Sequence, residues 1–147
     1  MQTGDITDIV ITHHHHDHIE AVVNYPKAVI HMQKDEYELG KKYIPKSMVV
    51  ELFEDEKILT EGLKVKKIGG HSVGSCIVLC YCNDKEYVFC GDECYVQVCL
   101  ERKIPTGCSY APTVSETFVN EYGKGEYKLL LFHDPDIMKG KLGCFPI

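Results

Sequence analysis

The sequence lacks any apolar run long enough to span a membrane, so we do not expect an integral membrane protein. Its first ten residues also lack the basic segment and apolar core of a secretory signal. No repeat, low-complexity tract or long linker divides the 147 residues, a length that suits one folded domain. We therefore expect a single cytoplasmic domain over residues 1–147, without a membrane partner.

Positive charge is scarce. Sixteen Lys and Arg face 22 Asp and Glu, which gives a formal net charge of -6. Binding to nucleic acid needs a basic patch that neutralises phosphates, so we expect no nucleic-acid partner. Two bound dications would offset part of the negative charge locally, and an anionic small-molecule substrate remains compatible with it.

The eight cysteines lack the spacing of a zinc-binding module, since no two of them form a C-x-x-C pair. Disulfides are not expected in a reducing cytoplasm. Several cysteines lie in apolar runs such as residues 76–82, where a free thiol packs as a small hydrophobic side chain. A separate cysteine-bound zinc is the minor alternative.

Apolar runs and helical segments mix along the chain. Alternation and apolar runs predict strands at residues 8–12, 28–31, 48–53, 63–68, 76–82, 86–91 and 127–132. Helices are predicted at residues 17–24, 33–43 and 114–122, with Asp17 as the N-cap of the first. Residues 83–85 predict a hairpin turn, and the acidic residues 51–56 predict a solvated face. The mixture favours a layered α/β domain.

The densest group of metal-ligating side chains follows the first predicted strand, in the run from His13 to His18. Alternate residues leaving a strand point to the same side, so His13 and His15 can reach one ion. Asp17 and His18, at the start of a helix, can reach a second ion nearby. Imidazoles with carboxylates suit zinc and tolerate other borderline divalent metals. A cloning tag or a chance histidine tract would explain neither the preceding strand nor the Asp17-His18 pair.

Three further candidate ligands lie near the ends of apolar strands. His71 lies in a Gly-rich loop, Asp92 follows the strand at residues 86–91, and His133 follows the strand at residues 127–132. Open α/β sheets gather their functional sites at such strand ends. Of the other histidines, His14 and His16 are expected to line the pocket or face solvent, and His31 to be structural.

The order of these residues resembles the metallo-β-lactamase superfamily, whose pattern is T-H-x-H-x-D-H, a G-H loop, a G-D after a strand, and a His after the last strand. The resemblance implies a four-layer αββα sandwich that binds two zinc ions, with iron, manganese or cobalt as alternatives. It assigns one ion to His13, His15 and His71, the other to Asp17, His18 and His133, and a bridging role to Asp92.

A narrower resemblance is to the N-acyl homoserine lactonases. That branch has a tyrosine three residues after the bridging aspartate, here Tyr95, and a tail of the form H-D followed by C-x-F-P, here from His133 to Pro146. The resemblance implies that a metal-bridging hydroxide attacks a lactone or carboxylic ester. Tyr95 would stabilise the oxyanion, and Asp17 would hold the hydroxide and pass a proton to the leaving alkoxide.

The family usually has several strands and a helix before its histidine motif, whereas the motif starts here at residue 12. We therefore expect an N-terminally truncated form of the fold, lacking the first strands and a helix. An uncovered sheet edge and apolar face would then favour a homodimer or an exchange of elements, or else leave the chain unstable and poorly active. The alternative functions are hydrolysis of a thioester or phosphodiester by the same ions, or an inactive, truncated metal-binding domain.

Overall fold

The first third of the chain forms a small parallel sheet. The structure is a computed structural model that describes residues 3–106 and 108–135. Three strands pair in the order β1-β2-β3, namely β1 (Asp8–Ile11), β2 (Val29–Gln33) and β3 (Val50–Phe53). Each coincides with a predicted strand, because these short β-branched runs suit a sheet that is covered on both faces.

A larger sheet of five strands follows, in the order β4-β5-β6-β7-β8. All neighbours are antiparallel except β7 and β8, which are parallel. The strands are β4 (Glu56–Thr60), β5 (Leu63–Lys67), β6 (Cys76–Cys82), β7 (Lys85–Phe89) and β8 (Lys128–Leu130). The predicted hairpin turn is confirmed at Asn83 and Asp84, where both residues have positive φ (52° and 57°), as a tight β-hairpin requires. Strand β4, whose first residue lies in the acidic stretch, was not among the predicted strands.

The helices are short. They are α1 (His16–Ile19), continued by a 3-10 helix (Glu20–Asn24), α2 (Lys34–Gly40), continued by a 3-10 turn (Lys41–Tyr43), α3 (Gln97–Arg102) and α4 (Pro112–Tyr122). The prediction that Asp17 caps α1 is wrong: His15 occupies the N-cap position without a side-chain cap, and Asp17 lies within the first turn. In the described part of the chain, no helix is long and apolar enough to cross a membrane.

Three clusters of apolar side chains define the layers. One lies between the small sheet and α1 and contains Ile11, Ile30 and Met32. A second lies between the two sheets and contains Phe53, Val65 and Cys76. The third lies between the large sheet and α4, and its buried residues are Ile77, Val88, Cys90, Cys94, Phe118, Val119, Tyr122 and Leu131. The side chains of Cys76 and Ile77, which are neighbours in β6, point to opposite faces of the large sheet. The predicted αββα order of layers is thereby confirmed.

Strand β1 lies at an edge of the small sheet, where the predicted self-association could take place. Within residues 3–106 and 108–135, β1 pairs with β2 alone, and Phe89 on the inner face of β7 is 39% exposed. Free strand edges recruit further strands. We expect light scattering at micromolar concentration to show a dimer. A stable, monodisperse monomer would contradict this expectation.

Candidate metal centre

The candidate ligands meet because their loops leave the strands at the same end of the two sheets. His13 follows β1, His71 lies between β5 and β6, Asp92 follows β7, and His133 lies three residues beyond β8. Since β7 and β8 are parallel and β5 and β6 are antiparallel, all these loops emerge on one side. The two sheets are tied together at this point by a hydrogen bond in which the Cys76 amide donates to the Thr12 carbonyl (2.9 Å).

The first group of side chains consists of three histidines and one aspartate. His15 Nδ1 lies 3.1 Å from His13 Nε2 and 2.9 Å from His71 Nε2. Asp92 Oδ2 lies 3.7 Å from His13 Nε2 and 3.5 Å from His71 Nε2. Four donor atoms therefore converge on one point, as the sequence predicts for the first ion.

The second group consists of Asp17, His18 and His133. Asp17 Oδ2 lies 3.7 Å from His18 Nε2 and 3.8 Å from His133 Nε2. Asp92 reaches this group through its other oxygen: Oδ1 lies 3.0 Å from His18 Nε2 and 3.2 Å from His133 Nε2. The two carboxylate oxygens of Asp92 thus face different histidine groups, which is the arrangement expected of a bridging ligand.

Solved structures with similar architecture decide the fold. An N-acyl homoserine lactone hydrolase with the product N-hexanoyl-L-homoserine bound at its catalytic metal centre superposes with a TM-score of 0.77 at 21% identity, over 97% of this chain and 61% of that one. A candidate metallo-β-lactamase from Thermotoga maritima superposes with a TM-score of 0.69 at 21% identity, over 91% of this chain and 70% of that one. The fold is that of the metallo-β-lactamases.

AidC, a dizinc quorum-quenching lactonase in complex with a product, also has this fold, with a TM-score of 0.76 at 16% identity, over 92% of this chain and 60% of that one. The chain spans about 60% of the length of the lactonases that it matches. No protein-family model matches it. Identities this low establish the metallo-β-lactamase fold alone, and the chemistry follows from the site itself.

The donor set fits divalent cations of the zinc type. A tetrahedral ion with bonds of about 2.0–2.1 Å places its ligand atoms roughly 3.3 Å apart. The distances between the donor atoms, 2.9 to 3.8 Å, bracket that separation. Burial lowers the pKa of His13 to about 2, with the nearby His18 as the next cause, and burial also lowers the pKa of His71. Both imidazoles are therefore neutral at pH 7 and offer a lone pair.

Asp92 is the carboxylate best suited to face two cations. Although burial acts to raise its pKa, the hydrogen bond and charge of His18, together with the charge of His133, hold that pKa below its usual value. The side chain is therefore ionised and available as a ligand. Gly91 permits its placement, because its φ of +51° is strained for other residues and a Cβ there would press on Thr12 at 3.1 Å.

Two residues that support the ligands were not predicted as functional groups. The Thr12 hydroxyl lies 3.2 Å from His13 Nδ1 and 3.3 Å from His18 Nδ1, so it orients one imidazole from each group. Glu93 is fully buried, and its Oε1 accepts hydrogen bonds from the amides of Gly70 and His71 (both 3.2 Å). Thr12 belongs to the T-H-x-H pattern and could have been identified from it. No sequence feature of Glu93 indicates a functional role, apart from its position next to Asp92.

Tyr95 lies between the two groups of ligands. Its ring centroid is 5.0 Å from that of His133 and 5.8 Å from that of His71. Burial raises the pKa of Tyr95, so its hydroxyl remains protonated and can donate a hydrogen bond at neutral pH. Phe132 adds an apolar surface, since its ring is 52% exposed and lies 4.3 Å from the His18 ring. The rings of Tyr95 and Phe132 therefore border the two ligand groups.

The remaining histidines lie outside the two ligand groups, although the His14 ring centroid is 4.7 Å from that of His15. His16 is exposed and lies 3.1 Å from Glu20, while the His14 ring contacts Glu36 at 2.6 Å. His31 is buried and lies 2.7 Å from Asp8, which agrees with its predicted structural role.

Asp134 directly follows the candidate ligand His133 in the chain. Asp134 is buried and accepts a hydrogen bond from the Gln97 amide (2.8 Å) at the start of α3. Asp136 and the predicted C-x-F-P tail lie outside the described residues. The seven cysteines in residues 3–106 and 108–135 are free thiols.

Proposed function

We propose that this chain is a dizinc hydrolase that opens lactones or cleaves carboxylic esters. The observation that carries the proposal is Asp92, whose Oδ1 and Oδ2 face two separate histidine groups. Metallo-β-lactamase folds solved as lactonases, one of them with product at its catalytic metal centre, support the same class of reaction.

The proposed ligands form the two groups that the distances between their atoms define. His13, His15 and His71 would hold one ion, Asp17, His18 and His133 the other, and Asp92 both. When bound, two such cations supply Lewis acidity and a hydroxide nucleophile near neutral pH.

Asp17 is the proposed proton carrier. Its side chain is 55% exposed, yet its Oδ2 lies within 3.8 Å of His18 and His133, so it can meet both the solvent and a bound substrate. A carboxylate in this position can accept the proton of the nucleophile and deliver it to the leaving alkoxide.

Tyr95 is the proposed oxyanion donor. Its hydroxyl can donate a hydrogen bond to the substrate carbonyl oxygen as negative charge develops there, a stabilisation that is absent from the ground state. A neutral lactone also suits a chain with a net charge of -6 better than a phosphodiester does.

The test is hydrolysis of an N-acyl homoserine lactone by the zinc-loaded full chain, followed by proton release at constant pH. We expect turnover that disappears when the metal is chelated, returns with zinc and is strongly reduced in Asp17→Asn. Asp55→Asn, at an exposed aspartate outside the ligand groups, is the matched control. Turnover of only a thioester or a phosphodiester would replace the proposed substrate, and two bound ions without any turnover would indicate an inactive metal-binding domain.

A further inference from the structure

Glu36 is a fully buried carboxylate outside the two ligand groups, and its two oxygens serve two different loops. Oε2 accepts a hydrogen bond from the His14 amide (2.9 Å) and lies 2.6 Å from His14 Nδ1. Oε1 accepts hydrogen bonds from the Ser72 hydroxyl (2.8 Å) and the Gly74 amide (2.7 Å). One side chain thus joins the histidine run after β1 to the loop between β5 and β6.

The position of Glu36 is itself fixed by contacts at the start of α2. Gln33 caps α2, since its Oε1 accepts hydrogen bonds from the amides of Asp35 (2.6 Å) and Glu36 (3.1 Å). The loop packs tightly against this cap: a Cβ on Gly74 would overlap Gln33 Oε1 and lie 3.0 Å from Glu36 Cγ. Few side-chain conformations of Glu36 are therefore compatible with the surrounding backbone.

The two loops that Glu36 joins contain the three histidines of the first ligand group. His14 stands between His13 and His15, and Ser72 follows His71 directly. The loops come from different sheets, so no backbone ladder sets the separation between His15 and His71. A buried carboxylate is stable only when its hydrogen bonds are satisfied, so the loops cannot separate without a large cost.

We propose that Glu36 is a positioning residue that holds the histidine run and the His71 loop at the spacing the first ion requires. The proposal rests on the metal centre inferred above. Glu93 provides the contrast, because its hydrogen bonds from Gly70, His71 and Ser75 anchor only the second loop.

Glu36→Gln is the decisive change. The amide has the same shape, but its NH₂ group must face either the two donors of His14 or those of Ser72 and Gly74, so one loop loses its acceptor. Residues that orient metal ligands typically contribute 10- to 100-fold in metal affinity. We expect Glu36→Gln to bind its first cobalt ion about 10- to 100-fold more weakly than the unaltered chain and with a changed visible absorption spectrum.

The experiment titrates the full-length chain with Co²⁺ against a competing chelator and records the ligand-field spectrum, with circular dichroism to verify folding. Val22→Ala is the control, because Val22 is buried in the apolar cluster beneath the small sheet. It should lower stability yet retain the spectrum and affinity. If Glu36→Gln does not fold, Ser72→Ala decides, since it removes one donor to Oε1 and should weaken binding several-fold.

Unchanged cobalt affinity and spectrum in the folded variant would overturn the positioning role and leave Glu36 as a structural residue only. The measurement is independent of turnover. A chain that binds cobalt in this Glu36-dependent way but hydrolyses no lactone would contradict the proposed function and leave the positioning role intact.

Discussion

Asp92→Ala should weaken the binding of both ions by more than about 100-fold each, because residues that merely support ligands already contribute 10- to 100-fold. The reason is geometric. Its Oδ2 faces His13 and His71, and its Oδ1 faces His18 and His133, at distances between 3.0 and 3.7 Å. Removing the carboxylate also leaves four imidazoles without the negative charge that offsets two cations.

Chelator competition with zinc measures this effect for each ion. Asp17→Ala should weaken only the second ion, since Asp17 lies within the group of His18 and His133 and outside the first. Asp55→Ala, at an exposed aspartate, is the control for charge alone. If Asp92→Ala kept the stoichiometry and both affinities of the unaltered chain, the bridging role would be wrong.

Tyr95→Phe should lower kcat for lactone hydrolysis by about 10- to 1000-fold while leaving the metal content unchanged. The substitution removes only the hydroxyl, and the ring that packs near His133 and His71 remains. KM should change little, because the hydrogen bond strengthens as the carbonyl oxygen becomes an oxyanion.

Stopped-flow or steady-state kinetics on metal-matched samples distinguishes these parameters. Tyr81→Phe is the matched control, since Tyr81 is an exposed tyrosine at the β6–β7 hairpin and its hydroxyl lies 3.3 Å from Asp84. Equal kcat in Tyr95→Phe and the unaltered chain would remove Tyr95 from the chemistry.

The ligand cluster could be anticipated from the sequence because several of its members lie shortly after a strand, as His13 does after β1 and His133 after β8. Strand ends gather on one side of the sheets, so a shared site could be expected there, and the resemblance to the metallo-β-lactamases divided its ligands between two ions. The strands themselves are specified by local apolar patterns, which explains why seven of the eight were predicted.

What the sequence did not reveal depends on contacts between distant residues. Glu36 lies in an acidic helix that resembles any solvated face, and only the packing of α2 against two loops turns it inward. Strand β4 is defined by its pairing with β5. Its sequence shows little alternation of apolar and polar residues, and its side chains are largely exposed. The cap of α1 was misplaced because the helix begins at His16, so His15 takes the N-cap position and Asp17 lies within the first turn.

The zinc content of the purified full-length chain tests the dinuclear centre most directly. The protein is saturated with zinc, freed of unbound metal by gel filtration and analysed by atomic emission against its measured concentration. Two complete ligand groups joined by Asp92 predict about two zinc ions per chain. A folded protein that retains no zinc would contradict the account, and one that retains a single ion would contradict the bridged pair.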